Sequence, residues 1–167
     1  NELPGLVPDK KWKLKNRGEP WQQGETLIVG IGQGSLLVTP LQLATMTARL
    51  VNGGYKVKPT FFPVSDRNLL KIEKINVSDT YLDMVKQGMY DVVNIPGGTA
   101  WMSRFDYHGM KMGGKTGSVQ VRRITLKERQ QGITKQEDLP WKYRDHAIFI
   151  GYAPADNPKY AVAVLVE

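Results

Sequence analysis

The chain has 167 residues, 41% hydrophobic and 23% charged, with a formal net charge of +7. That size and balance describe one ordinary globular domain or a large piece of one. No run of about 18 apolar residues is present, so no membrane-spanning segment is expected. Cysteine is absent and the two histidines, His108 and His146, are far apart, which excludes disulfides and thiolate sites and leaves no metal-ligand spacing. The basic residues are dispersed, from Lys10 to Arg17, at Lys111 and Lys115, and from Arg122 to Arg129. Acidic residues interrupt them and no aromatic RNA-binding signature accompanies them, so a solvated basic surface is expected rather than a nucleic-acid partner. Asn1-Glu2-Leu3-Pro4-Gly5 lacks a signal-peptide layout and does not begin with Met, which points to a piece of a longer protein.

Residues 1 to 24 are polar and rich in Pro, Gly and Lys, and read as an irregular surface segment with Trp12 and Trp21 as anchors. The glycines at 30, 32 and 34 follow the apolar Thr26-Leu27-Ile28-Val29. A helix is predicted from Thr39: Thr39 can cap, Pro40 suits the first helical position and Gln42 completes a capping box. Leu43, Met46, Thr47 and Leu50 then repeat at helical spacing, and Asn52-Gly53-Gly54 ends the run. A second helix is predicted from Ser78, with Leu82, Val85, Met89 and Val92 on one face and Pro96-Gly97-Gly98 closing it. Beyond residue 113 the period changes to that of strands. Val119 and Val121 alternate with Gln120 and Arg122, and Ala147-Ile148-Phe149-Ile150 and Ala161 to Val166 are short apolar runs. The compact link Ala153 to Pro158 makes the last two antiparallel neighbours. Residues 123 to 144 are long for a hairpin loop and are expected to be functional or mobile. Helices first and strands last predict an α+β fold.

Two motifs compete for the glycine-rich centre. Gly109-Met110-Lys111-Met112-Gly113-Gly114-Lys115-Thr116 matches the G-x-x-x-x-G-K-T string of a phosphate-binding loop. Such a loop needs a buried strand before it and a helix after it. Here the upstream residues are polar, and Gly117-Ser118-Val119-Gln120-Val121 has strand periodicity, so a P-loop nucleotide binder is the lesser alternative. Gly30-Ile31-Gly32-Gln33-Gly34 lacks the spacing of a dinucleotide fingerprint and the acidic residue about 20 positions on, and reads as a tight turn.

The second motif is Lys115-Thr116-Gly117, the K-T-G triplet of serine acyl-transferases that carry S-x-x-K and S-x-N elsewhere. An ammonium and a hydroxyl on one edge strand can hold the carboxylate that ends a peptide. Gly117 lets a substrate backbone lie close, and Gly117 and Val119 are the substrate-binding candidates. Strand geometry turns Thr116 and Ser118 to one face and Lys115 to the other. The Ser118 N–H is a candidate oxyanion donor, worth roughly 3–4 kcal/mol of barrier.

The wider set of motifs is similar to class B penicillin-binding proteins. Gly30 to Gly34, Val38-Thr39-Pro40-Leu41-Gln42-Leu43-Ala44, Asn52-Gly53-Gly54 and Gly98-Thr99-Ala100 resemble the region before their K-T-G strand. Phe149-Ile150-Gly151-Tyr152-Ala153-Pro154 and Tyr160 to Glu167 resemble the strands after it. Pro20-Trp21-Gln22-Gln23-Gly24-Glu25-Thr26 and Arg144-Asp145-His146 resemble the elongation-type members in particular. The resemblance implies the penicillin-binding/serine β-lactamase-like transpeptidase fold, an antiparallel sheet with packed helices, with residues 1–167 as the C-terminal portion of one transpeptidase domain. It implies a serine D,D-transpeptidase that cross-links peptidoglycan stem peptides ending in D-Ala-D-Ala and is the target of β-lactams. Lys115, Thr116 and Ser118 would bind the carboxylate and shape the oxyanion site, with no cofactor. Implied partners are elongation-machinery membrane proteins and a glycosyltransferase, and the implied location is the periplasmic face of a bacterial inner membrane.

The chain departs from that pattern in one respect. Ser35, Ser65, Ser78, Ser103 and Ser118 are followed three residues on by Val, Asn, Tyr, Asp and Val, so no S-x-x-K exists, and no S-x-N exists either. The nucleophile is therefore expected in an absent amino-terminal half, and this piece is not active alone. A non-catalytic scaffold on the same fold is the remaining alternative.

Overall fold

A computed structural model describes residues 2–62, 72–122 and 124–167. These form two compact units. One comprises residues 1–39, 119–146 and 167, and the other residues 40–118 and 147–166.

In the first unit, α1 (Lys10–Arg17) begins where the Asp9 carboxylate accepts the Trp12 N–H at 2.6 Å. The irregular segment expected there is thus partly helical. Its apolar spacing is hidden because a lysine occupies the inward position: Lys13 is only 7% exposed. Its ammonium donates to the Pro20 carbonyl at 2.9 Å and to Glu25 at 2.7 Å. Glu25 belongs to α2 (Gln23–Gly30), where its carboxylate also accepts the Gln22 N–H at 2.6 Å. The glycine cluster is the turn that leaves α2, with Gly32 and Gly34 at φ 77° and 80°, a left-handed backbone that other residues adopt only under strain. The tight-turn reading holds. A two-way backbone bridge between Leu6 and Leu37 ties the ends of this stretch.

The same unit contains residues 121–122 and 124–145, which are more ordered than their polarity suggests. Thr125 caps α5 (Leu126–Gln131) in a reciprocal box with Glu128. Short 3₁₀ turns follow at Gln136–Asp138 and Trp141–Tyr143. Asp145 accepts from the Val121 N–H at 3.3 Å and the Gln136 side chain at 2.9 Å. Arg144 donates to the Leu139 and Glu137 carbonyls.

The second unit carries both predicted helices and the sheet. Helix α3 (Pro40–Val51) starts at the expected proline, and α4 (Asp79–Asn94) is capped by Ser78 as predicted. Strands β1 (Gly113–Val119), β2 (His146–Ala153) and β3 (Tyr160–Val166) form a three-stranded sheet in the order β1-β2-β3. β2 and β3 are antiparallel, with Ile148 opposite Leu165 and Ile150 opposite Ala163. β1 runs against β2 as well: Gly113 and Gly114 lie beside Tyr152 and Phe149, and Gly117 beside Ile148. Helix α3 packs on β3 and on α4. The core joins Val51, Met89 and Tyr152, flanked by Leu50, Ile150 and Ala155. The α+β expectation and the antiparallel pairing of the last two strands are borne out.

Candidate functional site

Among the described residues, β1 is the end strand of the sheet, with no strand beside one of its edges. Its sequence divides it in two. Gly113 and Gly114 are buried, whereas Lys115, Gly117, Ser118 and Val119 are exposed and Thr116 is half-buried. The division has a steric cause. A Cβ on Gly113 would stand 2.5 Å from the Tyr152 ring, and one on Gly114 would stand 2.3 Å from the Phe149 ring and 2.6 Å from the Ile150 carbonyl. Only glycine lets β1 approach β2 so closely. By contrast a Cβ on Gly117 would meet nothing nearer than 3.9 Å. That open position suits the close approach of another backbone.

This packing decides between the two motifs. A P-loop needs a helix after the lysine, and here Lys115 and Thr116 lie within a continuous strand that ends at Val119. The glycines of the G-x-x-x-x-G-K-T string serve strand packing, and the nucleotide-binding alternative is withdrawn. The strand also starts earlier than its valine alternation suggested and stops before Val121, because close contact between β1 and β2 is made by residues without side chains.

Lys115 and Thr116 are both hydrogen-bonded. The Lys115 ammonium bends to its neighbour's carbonyl, Nζ to Thr116 O at 2.7 Å, and uses one of its three N–H donors there. It therefore ends beside the Thr116 backbone on the exposed side of the strand. The Thr116 hydroxyl lies 2.7 Å from that of Thr99. Thr99 follows α4, in the Gly98-Thr99-Ala100 turn, and was not among the site candidates. Nothing in local periodicity joins residues 17 positions apart, and only the chain's return past α4 brings them together. The entry to β1 is fixed from the same helix end, where Asn94 Nδ2 donates to the Met112 carbonyl at 2.7 Å and the Tyr90 carbonyl at 2.8 Å.

Other singled-out residues have structural roles. Tyr152 is 2% exposed, and its hydroxyl donates to the Lys86 carbonyl at 3.1 Å, while burial pushes its pKa up. Trp101 carries the Arg104 guanidinium over its ring at 3.5 Å. Arg122, expected in a solvated loop, is paired with Glu128 at 2.5 Å. The Thr125 N–H, then the Arg122 guanidinium, hold the Glu128 carboxyl down at about 2. Arg123 lies outside the described residues. Among the described residues no group of His, Asp and Glu is arranged to hold a metal, and no helix is long and apolar enough to cross a membrane.

The sequence profile described as the penicillin binding protein transpeptidase domain matches residues 2–167. The chain belongs to this family. Among curated transpeptidase-family relatives, the peptidoglycan D,D-transpeptidase MrdA of Acinetobacter baumannii is 38% identical, over 100% of this chain and 25% of its own length. The MrdA of Haemophilus influenzae is 37% identical, over 99% of this chain and 26% of its own length. Among solved structures, a complex between penicillin-binding protein PBP2 and MreC from Helicobacter pylori is similar with a TM-score of 0.80 at 34% identity. The match covers 100% of this chain and 28% of that one. The Pseudomonas aeruginosa PBP2 in complex with WCK 5153 gives 0.72 at 38% identity, covering 99% of this chain and 34% of that one. The penicillin-binding transpeptidase chain described here spans about a quarter of the length of these curated relatives.

Proposed function

We propose that this chain is the C-terminal part of the transpeptidase domain of an elongation-type peptidoglycan D,D-transpeptidase. The observation that carries the reading is the exposed edge strand Lys115-Thr116-Gly117-Ser118, built on glycines that fit it against β2. Its likeness to MrdA and PBP2 proteins over the full chain supports the same conclusion.

In this reading the terminal carboxylate of a D-Ala-D-Ala stem peptide lies along β1. The Thr116 hydroxyl donates to it, and Lys115 supplies positive charge close by. Ser118 completes the hydroxyl face, and its backbone N–H points toward the carbonyl under attack. Gly117 and Val119 accommodate the peptide backbone. A serine Oγ attacks the penultimate carbonyl, and the terminal D-Ala leaves with the transferred proton. An amine from a neighbouring peptide then takes the acyl group and frees the serine. That serine would come from the portion of the relatives' length that this chain does not span, since no S-x-x-K occurs in it. β-Lactams enter the same site as mimics of the peptide end. The complete protein would work at the periplasmic face of the inner membrane, without a cofactor, beside a glycosyltransferase and elongation proteins. The PBP2–MreC complex supports a partner of the latter kind.

Labelling of the full-length protein with a fluorescent penicillin tests this. The wild type is expected to form a stable covalent adduct, and Lys115→Ala to slow its formation about 10- to 100-fold, the value of a hydrogen bond to a charged group. A folded full-length protein that stays unlabelled would instead be a non-catalytic scaffold, and the transpeptidase reading would be abandoned.

A further inference from the structure

The Thr99–Thr116 hydroxyl pair, 2.7 Å apart, is placed by backbone on both sides. On one side, the turn carrying Thr99 is pinned to the end of α4 by the Ala100 N–H, which donates to the Val92 carbonyl at 3.0 Å. Gly98 sits so tightly there that a Cβ would stand 2.3 Å from the Val92 oxygen. On the other side, Asn94 holds the Met112 carbonyl at the entry to β1. One helix end thus sets both hydroxyls.

Their chemistry then fixes a direction. Each hydroxyl has one proton to donate and two lone pairs, whereas a carboxylate only accepts. If Thr116 donates its proton to a carboxylate, the hydrogen bond between the two threonines must use the Thr99 proton and a Thr116 lone pair. We infer that Thr99 is a positioning residue for carboxylate recognition: its hydroxyl donates to Thr116 Oγ1 and commits the Thr116 proton to the ligand. Such a chain polarises the outer hydroxyl, which strengthens its bond to the anion. Without Thr99 the Thr116 hydroxyl is free to turn and donate elsewhere. The inference rests on the reading that Thr116 meets the carboxylate, and extends it to a residue that acts through Thr116.

The test compares acylation of full-length wild type, Thr99→Val and Thr99→Ser by a penicillin and by the methyl ester of the same penicillin. Thr99→Val keeps the branched shape and removes the hydroxyl, while Thr99→Ser keeps the hydroxyl. The expected result is about a tenfold slower reaction of Thr99→Val with the acid, no change with the ester, and recovery of the wild-type rate in Thr99→Ser. Adding Thr99→Val to Thr116→Val should cause no loss beyond that of Thr116→Val alone, since Thr99 acts only through the Thr116 hydroxyl. The inference is overturned if Thr99→Val reacts with the acid at the wild-type rate, or slows acid and ester equally, which would mark a structural role. Should Thr99→Val not fold, Thr99→Ala is measured against the same two probes and judged by the same outcomes. A wild type that reacts with neither probe overturns the transpeptidase reading itself, an outcome distinct from a reactive wild type with an indifferent Thr99.

Discussion

The two units of the chain are held together by different physics. Among the described residues, the buried apolar side chains Val51, Leu82, Met89, Val93, Ala100 and Tyr152 belong to the second unit, and the first adds only Pro8. The buried polar group of the second unit, Thr47, is satisfied within its own helix by the Leu43 carbonyl at 2.9 Å. The first unit has instead a buried ammonium, Lys13, shared between a carbonyl and a carboxylate, and two clips in which Glu128 and Asp145 gather backbone N–H groups. Burial of apolar area depends little on pH, whereas hydrogen bonds and ion pairs to carboxylates weaken when those groups protonate. The unit that carries the K-T-G strand therefore rests mainly on apolar burial, and its ion pairs Lys56–Glu73 and Lys74–Asp79 lie on the surface.

The sharpest way to break that contrast is in the apolar core. Met89→Ala removes a side chain packed between Val51 and Tyr152 and is expected to cost about 2–5 kcal/mol. Denaturant unfolding of the full-length protein measures it, and a loss below about 1 kcal/mol would show that this core is not what holds the unit. A smaller effect separates the glycines of β1. Gly114→Ala forces a Cβ against Phe149 and the Ile150 carbonyl and should cost about 1–3 kcal/mol. Gly117→Ala, with ordinary contacts only, should change stability by less than about 0.5 kcal/mol. Equal effects at the two positions would contradict the steric division of the strand.

The mildest test concerns acid. Glu128 is held at about 2 by the Thr125 N–H and the Arg122 guanidinium, and Glu25 is lowered by the Gln22 N–H and Lys13. A folded pKa below the unfolded value means these carboxylates stabilise the first unit fully above about 4.5. The Glu128 contribution is lost as pH falls from there through about 2. Amide proton shifts of Gln22 and Thr125 should move in that acid range, and Glu128→Gln should abolish the Thr125 response. Movement centred above pH 5 would exclude Glu25 and Glu128 as the cause.

Much of the second unit could be read from its residues. The capping signals and i, i+3, i+4 spacing of α3 and α4 are local, and the apolar runs of β2 and β3 are too short for helices. What could not be read depends on distant contact. The start of β1 is set by aromatic rings on β2 that leave no room for side chains at Gly113 and Gly114. Helix α1 was hidden because its inward residue is a lysine, and a buried ammonium has no hydrophobic signature. The loop expected over residues 123 to 144 contains local order that its polarity hides, because that order comes from Arg122, Glu128 and Asp145 acting across turns. The candidate site divides likewise: Lys115 to Ser118 announce themselves as a motif, whereas Thr99, named only within Gly98-Thr99-Ala100, is joined to them by the fold.

Asn94 gives that division a further meaning. Its single amide group spans two carbonyls, Tyr90 on its own helix and Met112 at the head of the site strand. The last turn of α4 and the first residue pair of β1 therefore lose their freedom together, as the unit folds. On the proposed reading, a carboxylate bound by Thr116 would meet hydroxyls that are already ordered, so little of its binding free energy would go into fixing them. Preorganisation of this kind would place part of the control of affinity in the terminus of α4, where sequence changes could tune recognition without altering the strand itself.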